Sequence, residues 1–379
     1  TVQADRLSSY ADFGKGSVSG DGPHYLRYFW ECSRLKEGIK PWLNKPDGVL
    51  PWSGRQHVIL WGKDGYNPET EFGFRFHGQR VFGKLGVALG KAGRIRPTLY
   101  AGELFDDNIA VVRPYKDGDL CAVWAFCNSK EFTDSLRRLD KKMSITAGTF
   151  TKVPYESSKW REFGRERFPD GLPAAHSDCP SQWLFNGHPS RSDHPLQVAV
   201  ARLLGYRWPR VTGSSFMDCP ALGLDGLESH ADDDGIVCLT SLSGEGTAAD
   251  RLRALLADAY GEQWSPAKLS SLLSEAGFGG KSLDDWLRDG FFEQHCKLFH
   301  QRPFVWHVWD GLRNGFHALV NYHKLAGANG EGRRTLEKLL YTYLGDWIDR
   351  RRADLAAGKE GADAQVTAAE HLHKQLELI

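Results

Sequence analysis

The chain has 379 residues, 41% hydrophobic and 25% charged, and its 48 basic and 48 acidic side chains sum to a formal charge of zero. This is the composition of an ordinary soluble globular protein, and it excludes dominant disorder, collagen-like repetition and a disulfide scaffold. A neutral total excludes a coat of positive charge but not one basic face, because a polyanion meets local charge.

In chain order, the first 115 residues are rich in Gly, Pro and aromatics, with short strand-like runs at Val58–Trp61 and Ile109–Val112. Gly14–Gly20 is glycine-rich, yet it follows no clear strand and is not GxGxxG, so a flexible turn fits it better than a nucleotide loop. Between Glu71 and Glu103 there is no acidic residue, while Arg75, Arg80, Lys84, Lys91, Arg94 and Arg96 are all present on a glycine-rich frame. Glycines let backbone approach a ligand closely, and unopposed cations attract anions.

Leu120, Val123, Trp124 and Cys127 fall at helical spacing, and Ser129 is placed to cap a second helix carrying Phe132, Leu136 and Leu139. From Arg137 to Arg167 nine basic residues face four acidic ones. Residues 168–248 read as loop-rich, apart from a helix at Leu196–Leu204 that stops at Gly205. From Asp218 to Glu262 the balance reverses, with ten acidic residues opposed by Arg251 and Arg253.

After about residue 249 the chain reads as mostly helical. Ser282 with Asp285 resembles a capping box. Leu336, Leu339, Leu340, Tyr343, Leu344, Trp347 and Ile348 form the stripe of a core-facing helix, and Ala356–Asp363 reads as a linker before a final helix. The expected fold class is α+β: a mixed α/β domain over 1–167, a connecting region over 168–248 and a helical domain over 249–379.

Seven cysteines without a CxxC pair favour reduced thiols in a cytoplasm. No apolar run reaches the roughly 18 residues a bilayer needs, and no signal-peptide core is present. The chain begins at Thr1 rather than Met, as a piece of something longer would. It carries no GxxxxGK[ST] loop, HExxH, GxSxG or nuclease-type acidic cluster. The histidines (His295, His300, His307, His317, His323, His371 and His373) have spacings that do not demand a metal site, and they are expected to pack with locally bonded ring nitrogens. Asp232–Asp234 reads as a solvated acidic loop. The residues therefore describe a basic, aromatic- and glycine-rich half with no self-contained active site and no metal.

Several segments carry a family resemblance. Lys15–Asp21, leading into His24–Arg27 and Phe29–Trp30, resembles the stretch that follows the catalytic domain in large bacterial N6-adenine DNA methyltransferases of type IIG and of DISARM-type phage-defence systems. Asn108–Pro114, the break at Asn128–Phe132 and Ile145–Pro154 are similar to their target-recognition domain. Phe291–His295 with Arg302–Trp306, then His317–His323 and Thr342–Trp347, are similar to their C-terminal helical part. The glycine loop for S-adenosylmethionine and the Asn-Pro-Pro-aromatic motif of these enzymes are missing, Asn67-Pro68 being followed by Glu69.

The resemblance implies the DNA target-recognition and clamping part of a site-specific adenine-N6 DNA methyltransferase from a restriction-modification or antiviral system. No cofactor is expected in this chain. S-adenosylmethionine is expected in the missing catalytic domain, into which the target adenine would be flipped. Double-stranded DNA is the implied partner, possible defence-system proteins a further one, and a membrane is not. Arg75, Arg80, Lys84, Lys91, Arg94 and Arg96 form one expected DNA-facing cluster, and Arg137, Arg138, Lys141, Lys142, Lys152 and Lys159 a second, with Arg able to pair bidentately with guanine. Two alternatives stand beside this reading. One is a structural module docking a methyltransferase to other defence components, favoured by the acidic stretch and the C-terminal helices. The other is a complete enzyme using residues such as Asp310 and His307.

Overall fold

The computed structural model of the chain describes residues 5–35, 38–46, 50–61, 75, 77–214, 216 and 219–379. Asn67–Glu69, the start of the acid-free stretch with Gly73, and Asp218 lie outside the described residues. The fold is α+β, as the sequence predicts. The chain separates into two compact units, the first made of 1–177, 181–185 and 213–221, the second of the remainder. Residues 168–248 are thus divided between the two units and form none of their own.

The first unit holds two four-stranded sheets. Strands β1 (Ala11–Lys15), β2 (Leu26–Tyr28), β3 (Ile39–Leu43), β4 (His57–Leu60), β5 (Gly86–Gly90), β6 (Pro97–Tyr100), β7 (Leu104–Phe105) and β8 (Ile109–Pro114) are arranged as β1-β8-β5-β6 and β2-β4-β3-β7. The first sheet is antiparallel throughout, while β3 and β7 run parallel in the second. Side chains alternate across a strand, and both faces of the first sheet are covered. Val87, Leu89, Leu99, Ala110 and Val112 pack with the helix Leu120–Cys127, whereas Ala88, Tyr100, Ile109 and Val111 meet Leu43 of β3 and Phe105 of β7. That double cover explains why Ile109–Val112 reads as an unbroken apolar run rather than an alternating one.

The cap at Ser129 forms as expected: its hydroxyl accepts the Phe132 N–H at 3.0 Å and starts the helix Lys130–Leu139. The helix Leu120–Cys127 lies against Ser157–Arg167, where a Cβ on Gly164 would come within 2.9 Å of the Ala122 nitrogen. Arg161 ties the pair with two 2.7 Å bonds to Asp119.

The second unit is mainly helical around a three-stranded antiparallel sheet of order β10-β11-β9, with β9 Ile236–Cys238, β10 Val305–Trp309 and β11 His317–Asn321. The strands show where helical expectation gives way: Val305–Trp309 and His317–Asn321 pair across the turn 310–316, and β9 joins them from before residue 249. The capping box at Ser282 and Asp285 is present on both sides. The helical stripe departs from a regular α-helix. Buried residues recur as Leu339–Leu340, Tyr343–Leu344 and Trp347–Ile348, a strict step of four. In an α-helix a four-residue repeat drifts by about 40° each time. The chain instead widens into a π-helical segment at Lys338–Leu344, between Glu331–Glu337 and Gly345–Ala356, and the stripe stays on Ile236, Cys238, Ala318 and Val320. The final helix, Ala362–Leu376, completes that core with Ala369 and Leu372.

Candidate nucleic-acid interface

Two basic loops meet in the first unit although some 45 residues separate them. The first is the β5–β6 turn, Lys91 to Arg96, where Gly93 has a φ of +70° that an ordinary side chain rarely adopts. The second runs from the end of the helix Lys130–Leu139 to Thr146. Each is pinned to the same core by one isoleucine, Ile95 and Ile145. The anchoring leaves Arg94 exposed in the first loop and Lys141, Lys142, Met143 and Ser144 exposed in the second.

The backbones then zip together. The Gly93 N–H donates to the Met143 carbonyl at 3.2 Å, the Ile145 N–H donates to the Lys91 carbonyl at 2.8 Å, and Ala92 bridges Ser144. The Arg137 guanidinium spans the seam, donating to the Lys142 carbonyl at 2.7 Å and the Gly93 carbonyl at 2.6 Å. Asp140 closes the second loop, accepting the Lys142 N–H at 3.0 Å and the Thr149 hydroxyl at 3.2 Å. The Lys142 N–H, above all, holds the Asp140 carboxyl below its ordinary value, so it stays charged while serving the turn. The result is a cationic ridge built from Lys91, Arg94, Arg96, Arg137, Arg138, Lys141 and Lys142.

The structure regroups the expected residues. Arg75, Arg80 and Lys84 are exposed; Lys84 lies before β5, whose five residues separate it from the ridge by roughly 16 Å, while Arg75 pairs through its backbone with Val18, just past Lys15. Lys91 shares Asp107 with Lys15, at 3.4 and 3.3 Å. Lys159 pairs with Glu131 at 2.5 Å and lies over the Trp160 ring at 5.1 Å. Lys152 is exposed just after the short helix Ala147–Phe150, whose Thr149 reaches Asp140. Sequence reasoning overlooked the clamp made by Arg137 and the exposure of Met143. The signal for both was the single Ile145 after the charged run Asp140–Lys142, which marks a loop anchored at one point.

The remaining candidates have structural occupations. The glycine-rich Gly14–Gly20 begins inside β1, and a Cβ at Gly16 would collide with the Asp106 carbonyl, so the glycine serves close packing rather than a phosphate cradle. His295 is buried, with Nδ1 3.1 Å from Gln197 Oε1 and Nε2 accepting the Val305 N–H at 3.2 Å; burial pushes its pKa down to about 3. His307 contacts His317 at 2.9 Å and is pushed down to about 4 by burial and by that neighbour. Asp310 accepts the N–H groups of Leu312 and Phe316, at 3.0 and 2.8 Å, and so shapes the turn between β10 and β11. Among the described residues no group of three or more His, Cys, Asp or Glu is placed to hold a metal ion, and no helix is long and apolar enough to cross a membrane.

Of the acidic triplet, Asp233 is exposed as a solvated loop would have it, but Asp232 and Asp234 are not. The side chains of Asp232 and Asp234 are 6% and 12% exposed and line a pocket of about 480 Å³ with Glu245, Arg251 and Lys338. Asp232 bonds Arg251 at 2.8 Å, and Asp234 accepts from Lys338 at 2.9 Å and from the Tyr343 hydroxyl at 3.0 Å. Burial raises the Asp232 pKa to about 6, reinforced by a hydrogen bond to the Asp234 carboxyl and opposed by Arg251. Burial acts upward on Asp234 too, but bonds from Asp232, Lys338 and Tyr343 hold its carboxyl below the ordinary value.

A raised carboxyl pKa contributes stability that is complete below the unfolded value near 4 and is lost as pH rises through about 6. Wild type is therefore expected to lose stability relative to Asp232→Asn by up to about 1.4 kcal/mol per pH unit across that window. Thermal unfolding of both proteins between pH 4.5 and 7 measures the difference, and parallel curves would remove the shared proton.

The chain matches no family model, and no curated protein matches it.

Proposed function

We propose that the chain grips duplex DNA along the cationic ridge and serves as the target-recognition and clamping part of an adenine-N6 DNA methyltransferase in a bacterial restriction-modification or phage-defence system. Its setting is the cytoplasm, and S-adenosylmethionine is bound by a separate catalytic domain. The observation that carries this reading is the seam: two basic loops, distant in sequence, are held side by side by backbone bonds and the Arg137 clamp. The backbone beneath these cations is held before a ligand arrives, so the loops themselves need little ordering to contact a row of phosphates. Arg94 and Arg138 add forked donors that suit phosphate oxygens or a guanine edge.

Binding of the 379-residue chain to a 20-base-pair duplex, titrated at 50 to 200 mM salt, tests the proposal. About five phosphate contacts give a slope of log K on log salt near −4.5 and an affinity loss on the order of 10³-fold over that range. Absence of binding at low salt, or binding indifferent to salt, would discard it.

A further inference from the structure

Met143 stands at the centre of the ridge and is 83% exposed. Apart from Leu378 and Ile379 at the chain end, it is the most exposed large apolar side chain among the described residues. It is preceded by Lys141 and Lys142, is bonded through its carbonyl to the Arg94 turn, and follows the helix whose last turn carries Arg138. The backbone around it is fixed on both sides. Its own carbonyl accepts the Gly93 N–H, the preceding carbonyl accepts from Arg137 at 2.7 Å, and the following residues are bound to Ala92 and Lys91. An unbranched thioether is therefore held out into water on a rigid support, ringed by charges.

Water is a poor partner for such a tip, and the surrounding cations specify what a better one must be: an anionic surface with an apolar slot a few ångströms behind its charges. A lone phosphate offers no slot. Stacked base pairs behind a phosphate backbone offer both, and methionine is among the side chains that wedge between base steps and kink a duplex. We infer that Met143 is a wedge that inserts between base pairs while Arg94, Arg138, Lys141 and Lys142 hold the flanking phosphates. This inference rests on the DNA-binding reading above and adds to it a deformation of the DNA. A kink at the wedge would bring unstacked bases within reach of a catalytic domain acting on a base.

The full chain, Met143→Ala and Met143→Leu are compared on a 20-base-pair duplex bearing a donor and an acceptor dye at its ends and 2-aminopurine at successive positions. Wild type is expected to shorten the end-to-end distance by a bend of roughly 20–90° and to raise 2-aminopurine fluorescence. Met143→Ala should lose both signals and bind about tenfold more weakly with an unchanged salt slope, since no charge is removed, and Met143→Leu should keep them. The exposed position makes an unchanged melting temperature the check on folding. Salt-dependent binding by wild type and Met143→Ala alike, with equal bending, would overturn the wedge and leave the DNA-binding reading standing. Failure of wild type to bind duplex, or Met143-dependent binding to anionic phospholipid vesicles in its place, would overturn both.

Discussion

Glu103→Ala is expected to destabilise the first unit by about 3–5 kcal/mol, because it breaks a buried ion pair by removing one partner. The Arg55 and Glu103 side chains are 0% and 3% exposed and form an ion pair. Arg55 also donates to the Leu99 carbonyl at 2.9 Å and the Ser53 carbonyl at 3.3 Å, beneath the Trp52 ring. Glu103 accepts the Ala101 N–H at 2.9 Å, and its carbonyl takes the Tyr100 hydroxyl at 2.6 Å. The pair links β6 of one sheet to the segment leading into β4 of the other. Without the carboxylate the buried guanidinium loses the anion that pairs with it, while its bonds to the Leu99 and Ser53 carbonyls remain. For a unit of this size the melting temperature should fall by roughly 6–20 °C. Replacing both partners by apolar residues, Arg55→Met with Glu103→Leu, should recover much of the loss, since no charge is then buried at this site. Calorimetry of the two variants decides it: a Glu103→Ala loss under 1 kcal/mol would mean that water reaches Arg55.

Removing four exposed ridge cations together (Arg94→Ala, Arg138→Ala, Lys141→Ala and Lys142→Ala) should leave the fold intact and largely abolish duplex binding. Each phosphate contact contributes about 0.9 to the salt slope, so the slope should shrink by roughly 3–4, and affinity at low salt should fall by two or more orders of magnitude. The arrangement explains why the effect concentrates here. Lys159 spends its charge on Glu131, and Lys91 is shared with Asp107, whereas these four side chains stand exposed around the seam. Lys130→Ala serves as the control, because Lys130 is 88% exposed but paired with Asp134 at 2.6 Å on its own helix. A quadruple variant that binds with the wild-type slope would move the interface elsewhere, and Arg75, Arg80 and Lys84 would then be the next candidates.

The ridge and the acidic pocket also differ in what their charges do. On the ridge Asp107 pairs with Lys91, and Asp140 accepts the Lys142 N–H and closes the second loop. Around Asp232 the acids are tied to cations within 3 Å, binding the approach to β9 to the helix Ala248–Tyr260 and to the π-helical segment. Paired charges stiffen a core, whereas the exposed cations of the ridge leave positive charge for a partner.

Much of this was legible in the residues alone. The α+β class, the Ser129 and Ser282 caps, the Ile109–Val112 strand and the buried stripe from Leu339 to Ile348 follow from contacts within one or two turns of chain, where spacing determines geometry. The presence of unopposed basic segments was equally plain. Their grouping was not: the Arg75–Arg96 stretch divides at β5, and its second half joins Arg137–Lys142 through a seam of long-range backbone bonds. Asp232 and Asp234 turned from a solvated run into a buried network for the same reason, since Arg251, Lys338 and Tyr343 reach them only after distant helices pack. Local structure is a property of neighbours along the chain, and the sequence settled it. Which charges stand together, which are neutralised and which apolar side chain is left in water are properties of a surface, and a surface exists only once remote segments have paired.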